Sequence, residues 1–235
     1  MRDPRGLTRE VTPALAAREQ DKSGTAAQIL DVAELVVQVR GFSAFSYADI
    51  ARELKISTAA VHYHFAGKAE LGEALIARYA ARFAQDLAAV GTRFTLAPGR
   101  LDGFVGLHVA VLLQRRMCLC GVLAAEYQTL PPSMQTAVIG FFDQSEAWLQ
   151  GVLERGQEEG SLQLAGSARE AAQMIVSGIE GAMLVAAPYG DTGHFQAAAA
   201  SLLAGLAGGK TEPARWPNPP DARPGRSREA SHDRA

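Results

Sequence analysis

The chain has 235 residues, room for one or two domains with a sizeable core, and its 48% hydrophobic and 20% charged content is ordinary for a globular protein. A formal net charge of −2 excludes polyanion binding by overall charge, so any basic surface has to be local. The two cysteines, Cys118 and Cys120, are too few for a disulfide framework and too close to bridge on a helix, which makes a reducing cytoplasm the expected setting.

The opening stretch, MRDPRGLTREVTPALAAREQ, lacks an apolar h-region, and no signal peptide is expected. No membrane span is expected either: the longest apolar run, near MIVSGIEGAMLVAA, is short and interrupted by Glu180. Residues 1–21 mix charge with Pro4 and Pro13 and read as a flexible arm. From about Lys22 the apolar positions Ala26, Ile29, Leu30, Ala33 and Val37 keep helical spacing until Gly41.

SYAD, residues 46–49, then resembles a capping box and opens a short helix carrying Ile50 and Leu54. ISTAAVHYHF begins another short helix, with Ser57 or Thr58 placed to cap it. After AGK comes a long helix whose stripe is Leu71, Leu75, Tyr79, Phe83 and Leu87.

Longer helices fill the second half. One spans roughly 99–116, and another runs from Cys118 to about Leu130, where Pro131-Pro132 stops it. Met134, Val138, Phe141, Ser145, Trp148 and Val152 form the stripe of a third. SARE, residues 167–170, is a capping box for a helix to about Ala187, and a last helix follows over about 192–207. No sustained period-2 run of β-branched residues appears, so the expected fold class is all-α. Residues 209–235 are rich in proline and almost devoid of apolar residues, and read as a disordered tail.

Two short helices joined by a tight turn, SYADIARELKISTAAVHYHF, have the dimensions of a helix-turn-helix. Ala51 falls at the close contact between the helices, Ile56 fills the turn, and Val61 and Phe65 face the core. The exposed side of the second helix then offers Thr58, Ala59, His62 and Tyr63, and a helix of this size fits the major groove. His62 and His64 also raise the possibility of a metal pair. Residues two apart on a helix point some 200° away from each other, so no metal is expected there. The same spacing argues against a metal on Cys118 and Cys120.

In combination, Gly41-Phe42, SYADIA (46–51), STAAVHYHF (57–65) and Lys68 followed by Glu70-Leu71 resemble the DNA-binding domain of the tetracycline-repressor (TetR/AcrR) family of bacterial regulators. The resemblance implies a helix-turn-helix domain over 22–70 and a helical ligand-binding and dimerisation domain over 71–208. It implies DNA contacts by Ser46, Tyr47, Ser57, Thr58, Ala59, His62, Tyr63, His64 and Lys68. His62 stands where the family commonly has a phosphate-contacting tyrosine, and Lys55 where a turn glycine is usual. The implied partners are double-stranded operator DNA, a small-molecule effector and a second copy of the chain. That copy would pair through the last two helices, which are rich in Ala, Gly and Ser. A repressor released by its effector is the expected function.

No P-loop, GxSxG, HExxH or dinucleotide fingerprint occurs, so neither a catalytic residue nor a cofactor is expected. The candidate sensing residues are His108, Gln114, Cys118, Tyr127, Phe141 and Trp148. Arg115 and Arg116 precede Cys118, and proximity in space would lower its pKa and make it a nucleophile toward electrophilic effectors. Plain packing of Cys118 in the core and a non-covalent pocket are the alternatives. A helical-bundle enzyme or metal-binding protein using His62, His64, His108 and the cysteines stands as the rival reading.

Overall fold

The computed structural model describes the backbone of residues 13–205 and side chains from residue 24 onward. Nine α-helices follow one another in this region, with no strand among the described residues: α1 (Pro13–Arg40), α2 (Tyr47–Leu54), α3 (Thr58–His64), α4 (Lys68–Arg93), α5 (Ala97–Leu113), α6 (Leu119–Ala125), α7 (Pro132–Glu158), α8 (Ala168–Ala186) and α9 (Thr192–Ala204). Short 3-10 turns cover Tyr127–Thr129 and Ala187–Tyr189. The all-α expectation holds. The first helix begins at Pro13, so residues 13–21 are helical where an arm was expected; proline fits there because the first helical position has no N–H bond to make. Residues 1–12 of the expected arm and the expected tail over 209–235 lie outside the described residues.

Local chemistry sets the helix ends. The Asp49 carboxylate accepts hydrogen bonds from Ser46 N (2.8 Å) and Ser46 Oγ (2.7 Å). Together with Arg52, these bonds lower its pKa to about 2. Ser57 Oγ accepts from Ala60 N at 3.1 Å and caps α3. Ser167 and Glu170 cap α8 reciprocally. The helix expected over Cys118–Leu130 ends as α6 at Ala125 and finishes as the 3-10 turn, because Thr129 N turns back to Glu126 O and Leu130 N to Tyr127 O.

The stripes read from the sequence form the core. Ile29, Ala33, Val37, Ile50, Val61, Leu71 and Leu75 are buried in the first half, and Met134, Val138, Phe141, Ser145 and Val152 in the second, with Trp148 partly buried; Leu149, outside the stripe, is buried too. α8 packs between α7 and α9, while α4 lies across α1, α5 and α7 and so ties the three-helix head to the larger bundle. By length and mean hydropathy (1.3 over its best window) the stretch Ala168–Tyr189 is apolar enough to cross a membrane, which its sequence was not expected to be. In the fold, one side of α8 is core, with Ala172, Ile175, Ile179 and Met183 buried against its neighbours.

Two substitutions test this hierarchy. Leu149→Ala, at a site with no solvent exposure, should destabilise the protein by about 2–5 kcal/mol in urea denaturation. Ser57→Ala should cost only about 1 kcal/mol, the usual loss of one N-cap. Equal losses would contradict the assignment of stability to the bundle core.

Candidate nucleic-acid interface and effector cleft

The head is built around α3. Its buried side is Val61, followed by Phe65 at the C-cap, while Thr58, Ala59, His62 and Tyr63 are exposed, Tyr63 at 65%. Tyr47 Oη donates to Phe65 O at 3.1 Å and its ring lies 4.6 Å from that of His62, so Tyr47 straps α2 to the end of α3. Ser57 is likewise engaged as a cap. His64 is half-buried, its ring edge-on to Tyr63 at 5.3 Å. Lys55 closes α2 in the left-handed region (φ 55°), the conformation for which glycine would be the unstrained choice.

Lys68 starts α4 and is half-buried. Its ammonium lies 4.7 Å from the Phe42 ring centre and 4.4 Å from that of Phe45. Burial draws its pKa down, and the nearby Glu126 carboxylate opposes that shift. In this conformation Lys68 braces the turn between α1 and α2, whereas the family resemblance implies a DNA contact. Ser46 is exposed at the start of α2, its hydroxyl donating to Asp49.

Two polar tethers join this head to the larger bundle. Glu126, just after α6, accepts hydrogen bonds from Phe42 N (2.9 Å), Ser43 N (2.8 Å) and Ser43 Oγ. Gly41 beside it has φ +87°, and a Cβ there would sit 2.1 Å from Glu126 Oε1. The glycine thus supplies both the turn and the room for the carboxylate. Gln38 Nε2 donates to Met117 O at 2.9 Å, linking α1 to the segment before α6.

A cleft of about 720 Å³ opens between α1, α4 and α5. Its lining includes Glu34 and Gln38 from α1, Arg78, Tyr79, Arg82 and Phe83 from α4, and His108 and Gln114. Of the expected sensing residues, His108 and Gln114 therefore share one cavity, and the other four do not line it. Phe141 packs with Phe83 (5.2 Å between ring centres) and Tyr79 (5.6 Å), and Trp148 stacks on Phe104 (6.1 Å). Phe141 is a core aromatic, and Trp148, partly buried, packs against the core. Tyr127 lies in the 3-10 turn, its carbonyl accepting from Gln135 Nε2. His108 is buried; its Nδ1 donates to Phe104 O at 3.0 Å, and burial lowers its pKa, so Nε2 remains an acceptor. Among the described residues no group of three His, Cys, Asp or Glu side chains is placed to hold a metal ion.

Cys118 lies in the core, the setting of the packing alternative rather than of an activated thiol. Cys118 is buried and accepts from Tyr79 Oη at 3.7 Å. Burial first, then the Glu180 carboxylate of α8, push its thiol pKa well above the usual value. Cys120 is shifted the same way for the same reasons. Sequence neighbours suggested a cationic setting, but the residue that faces the sulfur is an acid from another helix. Iodoacetamide should accordingly label the folded protein at least about a hundredfold more slowly than the urea-unfolded chain, because labelling has to await opening. Equal rates by mass spectrometry would refute this.

Comparison with known proteins agrees with the geometry. Residues 29–75 match the family model for bacterial regulatory proteins of the tetR family, and residues 100–202 match that for the tetracyclin repressor-like C-terminal domain. No curated protein matches the chain. Among solved structures, a TetR-family transcriptional regulator from Agrobacterium tumefaciens is 30% identical with a TM-score of 0.77, the match covering 79% of this chain and 99% of that one. A TetR transcriptional regulator from Legionella pneumophila is 32% identical with a TM-score of 0.70, covering 76% of this chain and 95% of that one. The reduced form of E. coli NemR, 23% identical with a TM-score of 0.68 and covering 78% and 97%, shares the fold. With a helix-turn-helix head and a C-terminal bundle that each match, the chain belongs to the tetR family of bacterial transcriptional regulators.

Proposed function

We propose that this DNA-binding regulator is a dimeric repressor that acts in the cytoplasm, binds a roughly palindromic operator and is released by a small effector. The observation that carries the proposal is the pairing of an exposed, doubly braced α3 with two hydrogen-bonded tethers that run from its head into the effector bundle. Thr58, Ala59, His62 and Tyr63 form the reading face, with Ser46 and His64 at its margins. Ser57, Tyr47 and Lys68 hold α3 and the adjoining turn in place. One such face reads only a few base pairs, so useful specificity requires two of them on one duplex.

Dimerisation through α8 and α9 is supported by the apolar residues left on the bundle surface. Leu184 and Val185 are 62% and 60% exposed on α8, and Met174 is 48% exposed two to three turns earlier. Small residues let α8 and α9 approach each other closely; a Cβ on Gly178 would lie 2.7 Å from Leu202. A second pair of these helices would cover the exposed leucine and valine.

Effector control requires a ligand that binds the released arrangement better than the operator-bound one. The cleft between α1, α4 and α5 is suited to this, since it is bounded both by the head's own helix and by the bundle. Covalent sensing at Cys118 is disfavoured by burial and by Glu180.

Three measurements test the reading. Tyr63→Ala should weaken operator binding about tenfold or more at fixed salt, one lost base or phosphate contact in each of two subunits, with unchanged helicity. Unchanged affinity would remove Tyr63 from the interface. Leu184→Glu with Val185→Asp should convert the dimer to monomer in sedimentation; a persistent dimer would place the interface elsewhere. Glu126→Gln removes a charge-assisted acceptor, and hydrogen exchange at the Phe42 and Ser43 amides should rise by about tenfold or more. Unaltered protection would mean that Glu126 does not hold the turn in solution.

A further inference from the structure

We infer that the cleft between α1, α4 and α5 takes a small amphipathic cation bearing N–H donors, a primary or secondary ammonium or an amidinium on an apolar body. The inference deepens the effector-release reading and rests on it for its regulatory meaning. It starts from two acceptors that the fold leaves without donors. Glu34 and Gln38 line the cleft, are only 7% and 4% exposed, and stand one turn apart on α1, hence on the same face. Neither Glu34 Oε2 nor Gln38 Oε1 has a hydrogen-bond partner. Buried polar atoms are almost always bonded, and an ionised one without a hydrogen bond is costly, so two such oxygens on residues of one cavity wall mark where a ligand's donors belong.

The partners already present do not fill this role. Glu34 Oε1 accepts from Arg82 at 2.5 Å, and Gln38 uses its amide nitrogen on Met117 O. Arg78 reaches Glu34 Oε2 only to 3.7 Å, beyond hydrogen-bonding distance, because it is engaged by Asp31 and Ala27 O. His108 adds a third acceptor to the lining, since its Nδ1 proton is committed to Phe104 O.

Charge and shape favour a cation over an anion. Asp31, Glu34, Glu53 and Asp86 outnumber Arg78, Arg82 and Arg116 around the cleft, and two of the arginines are already paired with carboxylates of α1. An anion would meet acceptors in Glu34 Oε2 and Gln38 Oε1 and bring no donor for them. Phe83, Leu107 and Val111 supply apolar wall for the body of the ligand. A quaternary ammonium has the charge but no N–H to give, so it would leave both acceptors bare.

The test uses the full-length protein without DNA and a series of phenylalkylamines in calorimetric titration, with the N,N,N-trimethylated analogue and the matching phenylalkanoate as controls. The amines should bind at one saturable site per chain, at least about tenfold more tightly than either control. Gln38→Met, which keeps the volume, and Glu34→Gln should each weaken the amine by about tenfold or more. Gln38→Met carries the test should Glu34→Gln, which also loses an ion pair, fail to fold. Absence of amine binding, preference for the carboxylate or the trimethylated compound, or affinity unchanged in the variants would overturn the assignment. Operator release by the bound amine is measured separately. Binding without release would sink the regulatory reading and leave the cation site standing.

Discussion

The arrangement of the two halves depends on one carboxylate. Glu126 is held just past α6, yet its acceptors are the backbone N–H groups of Phe42 and Ser43, at the corner where α1 gives way to α2. These loop N–H groups have no partner within a helix, and an ionised acceptor answers them more strongly than a neutral one. The bond fixes the direction in which the chain leaves α1, and with it the seat of α2 and, through Tyr47, that of α3. Gly41 is part of the same device, because its left-handed turn and missing Cβ admit the carboxylate. Lys68 completes the junction from the α4 side, with Phe42 and Phe45 beneath its ammonium.

From that junction the rest follows in layers. Short α2 and α3 have little core of their own and rely on each other and on α1 for burial. α1 in turn leans on α4 through the Glu34 pairs with Arg82 and Arg78, and on the segment before α6 through Gln38. Partly exposed ion pairs contribute little stability individually, so apolar packing carries the fold and the polar links set the angle between helices. A regulator needs that division. Packing keeps the two halves folded, while a handful of exchangeable hydrogen bonds sets how they are oriented.

Much of this was legible from residue order. The start signals SYAD and SARE and the stripes through Ile29, Leu71 and Met134 are local patterns, and they recur as helix starts and core. So is the placement of Thr58, Ala59, His62 and Tyr63 on the outer side of α3. The failures share a cause as well. Arg115 and Arg116 adjoin Cys118 in sequence, but burial and then Glu180 on α8 set its thiol. Glu34, Gln38 and Glu126 went unremarked because their partners lie on other helices, which no local pattern reveals. One signal was available: Glu34 and Gln38 each directly follow a member of the α1 stripe, Ala33 and Val37, at positions too close to the core for solvated polar side chains.

The sequence separations of these tethers also bear on how the molecule comes into being. Gln38 and Met117 are 79 residues apart, and Phe42 and Glu126 are 84. On the ribosome, α1 to α3 emerge and can pair among themselves long before α6 exists, because their contacts are short in sequence. Until residue 126 has left the exit tunnel, the corner at Phe42 lacks its acceptor and the reading helix has no fixed bearing on the rest. A half-made chain therefore carries a helix-turn-helix without an aim, and orientation arrives with the same residues that begin the effector bundle.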